Sequence, residues 1–197
     1  MNDVLTIEKP EHEVILRTKS KKVKNWDHPE LVILEQEMVL VAEKWEAENP
    51  GDFCMGLAAP QVGVNKRVIM VRTNNQFGKP WIFMYNPIYI KSEGGHVIEE
   101  ACMSVPGKVG KCARPETSHF FYYTRAGQRV PPSGTAKVTD LAAQILVHEI
   151  DHLNGLLYLD NAVAISDKAK DSNEAIPEPE AETKKPSRLS KAHAHAV

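Results

Sequence analysis

The sequence predicts an α+β fold, and three observations carry that prediction. A helical repeat of apolar residues lies near the N-terminus, a run of short β-type segments follows, and a second helical repeat closes the series. Helices and strands do not alternate, which argues against a doubly wound sheet. Apolar residues make up 42% and charged residues 25% of the 197, enough to bury the core of one domain.

In the first helix, Asp27 can cap a segment opened by Pro29 and Glu30. Leu31, Leu34, Met38, Val41 and Trp45 then recur at spacings of three and four, up to a stop at Asn49-Pro50-Gly51. Strands are expected at Val68 to Val71, Trp81 to Tyr85, Ile88 to Ile90, His96 to Ile98 and Phe120 to Tyr123, with Gly and Pro between them. Thr139 or Asp140 can cap the second helix, which runs through Leu141, Ile145, His148 and His152 and ends at Asn154-Gly155. Beyond it, residues 166–197 have no aromatic side chain. They turn from acidic (Glu174, Glu178, Glu180, Glu182) to basic (Lys184, Lys185, Arg188, Lys191). Such a stretch cannot bury enough surface to offset its ordering entropy. The expected organisation is therefore a folded domain over 1–165 and a disordered tail over 166–197.

Composition excludes several classes. The net charge of −2 rules out a simple polybasic nucleic-acid binder, and no DNA partner is expected. No apolar run approaches the eighteen or so residues of a membrane helix. The opening Met1-Asn2-Asp3-Val4 has an early acid and no apolar run, so neither a secretory nor a transit signal is expected. Three cysteines at scattered spacing argue against a disulfide framework and for a reducing, cytoplasmic setting. A monomer is expected.

The strongest chemical signal is His148-Glu149-Ile150-Asp151-His152 within the second helix. Histidines at i and i+4 project from one face and can share a metal ion, and the intervening Glu can move a proton of a bound water. Chance occurrence on a surface helix is the bland alternative. The apolar flank Ile145, Leu146, Val147 makes unpaired His and Glu costly there. Two imidazoles need a third protein ligand. Glu174, in Asn173-Glu174-Ala175, superficially echoes a metalloprotease ligand but falls in the tail. Cys102, in Glu100-Ala101-Cys102-Met103-Ser104, offers a thiolate suited to iron(II) or zinc.

With Met55-Gly56-Leu57-Ala58-Ala59-Pro60-Gln61 added, three motifs stand in order, and the chain resembles the peptide deformylases, whose motifs are GxGLAAxQ, EGCxS and HExxH. The likeness covers roughly residues 5–165. It implies short mixed or antiparallel strands packed around a central metal-binding helix, and removal of the formyl group from N-formylmethionyl nascent chains. Cys102, His148 and His152 would hold one divalent metal, natively Fe2+, with Zn2+, Ni2+ or Co2+ able to replace it. A metal-bound water would attack the formyl carbon, Glu149 would be general acid/base, and the Gln61 amide and Met103 N–H would stabilise the oxyanion. The peptide would lie extended along backbone edges at Met55, Gly56, Leu57 and at Glu100, Ala101. Met55, Ile98, Leu141 and Ile145 would wall the methionine slot, although ordinary core roles are the alternative. Glu100 and Arg114 would form an ion pair bracing the cysteine loop.

Two positions depart from the family pattern. Cys54 stands where the first motif starts with Gly, and Ala101 replaces the Gly before the metal cysteine. Ala101 is costly if its φ is positive and harmless in the β region. Cys54 and Cys112 are expected to be small buried hydrophobes. His12, His28, His96 and His119 are expected to be plain surface or loop residues, and His193 and His195 to lack function. The cluster Lys184 to Lys191 could touch ribosomal RNA or simply be solvated. Two other readings remain open: a metalloprotease using Glu174, and a non-catalytic formyl-peptide binder.

Overall fold

The structure, a computed structural model, describes residues 3–72 and 80–168. Its helices are α1 (Pro10–Leu16), α2 (Glu30–Glu48) and α3 (Asp140–Leu153). Its strands are β1 (Gly56–Ala58), β2 (Val68–Val71), β3 (Ile82–Glu93), β4 (His96–Cys102), β5 (Val105–Arg114), β6 (Thr117–Tyr123), β7 (Arg129–Val130), β8 (Ala136–Thr139) and β9 (Ala162–Asp167). The strands form two antiparallel sheets. One has the order β1-β2-β3-β6-β7, with β8 also paired to β6; the other is β4-β5-β9. None of the three helices is long and apolar enough to cross a membrane.

Helix α2 forms where its apolar spacing predicts. Leu31, Leu34, Met38, Val41 and Ala42 are buried against Leu57, Val62, Met70 and Tyr85. Each large apolar side chain so buried contributes roughly 1.5–3 kcal/mol relative to exposure. The cap differs from expectation. Pro29 occupies the N-cap without a side-chain bond, and the His28 ring, not Asp27, meets the Glu30 N–H at 3.3 Å.

Strand β3 is one long element where Asn86-Pro87 predicts a break. Asn86 adopts φ 46°, and the pairing of β3 with β6 shifts register between Tyr85 and Ile88. The Asn86 side chain accepts from Val23 N–H and donates to Val23 carbonyl, both at 2.9 Å, so a bulge is absorbed without ending the strand. Strand β9 continues through Ser166 and Asp167, paired to Val109 and Lys108, past the expected boundary at 165. Glu174, His193, His195 and the Lys184 to Lys191 cluster lie outside the described residues.

Helix α3 seats its apolar stripe on the first sheet. Leu146, Ile150 and Leu153 meet Ala58, Ile69, Met84 and Phe120. Gly155 closes it at φ 76°, and a Cβ there would lie 2.3 Å from the Arg17 carbonyl oxygen. The opposite face of α3 is left to face β1 and the turn that joins β4 to β5.

Candidate metal centre

That face carries His148, Glu149 and His152. Strand β4 ends on Cys102, the turn after it carries Met103, and a 3-10 turn at Ala59–Val62 carries Gln61. One ligand atom each from Cys102, His148 and His152 lie within 4.8 Å of one another. Cys102 Sγ is 3.3 Å from His152 Nε2. The two imidazole rings stand 5.0 Å apart and nearly perpendicular, at 78°. The end of β4 and the i, i+4 spacing thus bring Cys102 together with two histidines 46 and 50 residues further along the chain.

The donors are buried and supported. His148 Nδ1 faces Glu100 Oε2 at 3.1 Å, which leaves its other nitrogen for the thiol side. Arg114 grips the same carboxylate twice, Nε to Oε1 at 2.5 Å and Nη2 to Oε2 at 2.8 Å, and reaches Asp151 Oδ2 at 2.7 Å. The Arg114 side chain is 3% exposed. Burial opposes ionisation of Glu100, but hydrogen bonds from His148 and Arg114 outweigh it and hold the carboxyl at about 2. Burial, then the neighbouring His148 and Arg114, push His152 well below the usual histidine range. It is therefore a neutral imidazole, the form that ligates metal. A thiol and two imidazoles crowded together in this way fit a divalent cation of borderline softness.

Glu149 sits against this cluster, 4% exposed, with Oε2 unbonded among the described residues. Burial raises its carboxyl to about 7. It fits only because residue 56 is glycine: a Cβ there would lie 2.5 Å from Glu149 Oε1. The Gln61 amide is oriented by its own neighbours. Its Oε1 accepts from Ala58 N–H at 2.8 Å, and its Nε2 donates to Ser104 Oγ at 3.2 Å while lying 3.7 Å from Cys102 Sγ.

A cavity of about 440 Å³ opens on these groups. Met55, Gly56, Gln61, Ile98, Glu100, Ala101, Cys102, Met103, Leu141, Ile145, His148 and Glu149 all line it. Leu57 does not. Its side chain is fully buried in the core beneath α2, because β1 turns alternate residues to opposite faces. Ala101 is an extended strand residue with no positive φ, so the alanine costs the backbone nothing. Cys54 and Cys112 are buried in core clusters, and burial pushes the Cys54 thiol up. Four contributors escape the sequence reading: Asp151 as the second partner of Arg114, Ser104 beneath Gln61, Tyr158 stacked on His148 with ring centres 6.3 Å apart, and Gly56 as the seat of Glu149. Asp151, Ser104 and Gly56 lie inside the three motifs, which gives their places but not these roles; Tyr158 has no such signal.

The family model for polypeptide deformylase matches residues 1–168. The chain belongs to the peptide deformylase family. A peptide deformylase from Halothermothrix orenii is 36% identical over 154 residues, spanning 78% of this chain and 91% of that one. The crystal structure of a peptide deformylase from Legionella pneumophila superposes with a TM-score of 0.67 at 30% identity, over 82% of this chain and 85% of that chain. A Met-Ala-Ser-bound peptide deformylase structure from Acinetobacter baumannii gives 0.66 at 28%, over 82% of this chain and 99% of that one. Family membership makes this chain a metal-dependent hydrolase that removes the N-formyl group of nascent peptides.

Proposed function

We propose that deformylation here is carried by Cys102, His148 and His152 as ligands of one divalent cation, with Glu149 as proton carrier. The observation that supports this most is the convergence of those three donors within 4.8 Å beside the unbonded Oε2 of Glu149. Iron(II) is the native ion we assign, with zinc, nickel and cobalt acceptable to the same donors. When bound, the cation supplies Lewis acidity that makes water a nucleophile near neutral pH.

The remaining work falls to the chain's own side chains. Glu149 takes a proton from the attacking water and returns it to the departing amine, leaving formate and a free N-terminus. Its raised pKa suits it to do both near neutrality. Gln61 Nε2 and the Met103 N–H donate to the oxygen that gains negative charge, each such donor being worth about 3 kcal/mol of barrier. Glu100 holds His148 in one orientation and tautomer through Nδ1.

The peptide has two open edges to pair with. β1 and β4 are terminal strands of their sheets, and Gly56 and Ala101 on them both line the cavity. An extended nascent chain can add to them as a further strand. The Met-Ala-Ser found in the Acinetobacter baumannii structure is a peptide of that kind. Ile98, Leu141 and Ile145 form the apolar wall for the methionine side chain. Such a substrate places the enzyme in the cytoplasm, beside the ribosome. Formate release from formyl-Met-Ala-Ser by anaerobically purified protein tests the reading. Stoichiometric formate supports it. Peptide-bond cleavage, or binding without turnover, contradicts it.

A further inference from the structure

A second buried ion pair lies beside the cavity, outside the metal centre. Glu46 stands in the last turn of α2, and Arg72 directly follows β2. Arg72 Nη1 donates to Glu46 Oε1 at 2.7 Å, and both side chains are 8% exposed. The Arg72 guanidinium also lies 4.0 Å over the Trp81 ring. The turn that carries Glu46 is itself fixed. Asn49 donates to the Trp45 carbonyl from its N–H at 3.0 Å and from Nδ2 at 2.8 Å. Stability alone is a poor account of such a pair. Both charges lose their hydration, and an apolar pair of similar volume often serves folding as well or better.

What an apolar pair cannot supply is a further bond to the backbone. Glu46 Oε1 also accepts from the Cys54 N–H at 3.0 Å. The Arg72 N–H donates to the Met55 carbonyl, again at 3.0 Å. The pair thus holds two consecutive residues of the segment that leads into β1. We propose that Glu46, locked by Arg72, is a positioning residue for the peptide-binding edge. It sets the path of Cys54 and Met55, so that the open edge of β1 stands ready for an extended substrate. The proposal rests on the deformylase reading, which puts the peptide on that edge.

The cavity shows which way the peptide runs. Gly56 abuts Glu149, so the formyl end lies there. In one direction the Ala58 N–H is taken by Gln61 Oε1, and neither Leu57 nor Ala58 lines the cavity. In the other, Met55, Cys54, Phe53 and Asp52 all line it. The residues after the formylmethionine therefore pass over the segment that Glu46 and Arg72 hold. Displacing that segment weakens contacts made alike in the bound substrate and in the transition state. The loss falls on KM rather than kcat, and it grows with the length of the peptide.

Two double variants isolate the Cys54 bond. Both carry Arg72→Met, which removes the cation. One adds Glu46→Gln, which keeps a carbonyl oxygen for the Cys54 N–H; the other adds Glu46→Leu, which does not. The full-length, metal-loaded proteins are assayed for formate release from formyl-Met-Ala-Ser and from N-formylmethionine amide, with metal content and urea midpoints measured beside them. The Glu46→Leu protein should show a tripeptide KM about tenfold above wild type, the order of one buried hydrogen bond, with kcat within about twofold. Its KM for the amide should change by less than about threefold, and the Glu46→Gln protein should stay within about threefold of wild type on both substrates. Metal content should be full in each. Equal KM values for the two variants overturn the proposal. So does a fall in KM, a rise of the same size on both substrates, or a loss confined to kcat or to metal. Amide hydrogen exchange of wild type covers a Glu46→Leu protein that does not fold: a protected Cys54 N–H supports the proposal, and one exchanging as an open loop overturns it. Failure of wild-type tripeptide turnover strikes the deformylase reading instead, so the two failures are distinguishable.

Discussion

Substituting Glu100 with Gln keeps its shape and removes its charge, which isolates what that charge does. The carboxylate receives two bonds from Arg114 and one from His148, and all three groups are largely buried. Its carboxyl is held at about 2 against an ordinary value of 4.5. At 1.36 kcal/mol per pKa unit, that is about 3 kcal/mol of native-state stability. The figure agrees with the roughly 3–5 kcal/mol lost when one member of a buried ion pair is removed. The sign follows from the depressed pKa. The contribution is complete above the unfolded-state value of about 4.5 and is lost as pH falls from there towards 2. Urea unfolding of the chelated protein should therefore show Glu100→Gln less stable by about 3 kcal/mol at pH 7, with the gap narrowing below pH 4.5. Metal affinity should fall about 10- to 100-fold, because His148 loses the partner that orients it. A loss under about 1 kcal/mol with an unaltered acid limb would refute this reasoning.

Four further outcomes follow from the same geometry. Gly56→Ala should cut kcat by about a hundredfold with metal content unchanged, since the new methyl collides with Glu149; steady-state kinetics and metal analysis check it. Gln61→Ala should cost about 10²–10³ in kcat with little change in KM, read from formate release. Ala101→Gly should leave metal content intact and raise turnover only modestly, because the extended backbone at 101 is unstrained and the exposed methyl merely narrows the cavity; a large fall in activity contradicts this. The pH–rate profile should lose activity on the acid side as Glu149 gains a proton. Burial sets its carboxyl at about 7, and a bound cation pulls it lower, so the limb should lie below 7 and vanish with Glu149→Gln.

The sequence made the site more legible than the fold around it. His148, Glu149 and His152 announce themselves through one helical turn, and Cys102 and Gln61 through motif resemblance. Periodicity also located α2 and α3 to within a residue or two. It missed α1, whose seven residues are too few for a repeat to emerge. It missed β5, where Gly107, Lys108, Gly110 and Lys111 interrupt the β-type pattern, and β9, which straddles the expected tail boundary; pairing between the two strands supplies what local propensity lacks. Asn86-Pro87 read as a strand break because nothing local reveals that Val23, 63 positions away, completes its bonds. Motif membership does not say which face of a strand a residue occupies, so the burial of the Leu57 side chain is not legible locally. Motif resemblance places Gly56 beside the substrate but does not say why it is glycine. Its need to be glycine lies in Glu149, a contact that only tertiary structure creates.

The central claim is that Cys102 completes a binding site with His148 and His152. Anaerobic metal analysis of wild type against Cys102→Ala, with folding followed by circular dichroism, tests it most directly. The account predicts one equivalent of divalent metal in wild type and none retained after gel filtration in a folded Cys102→Ala protein. A folded variant that keeps its full equivalent would contradict it.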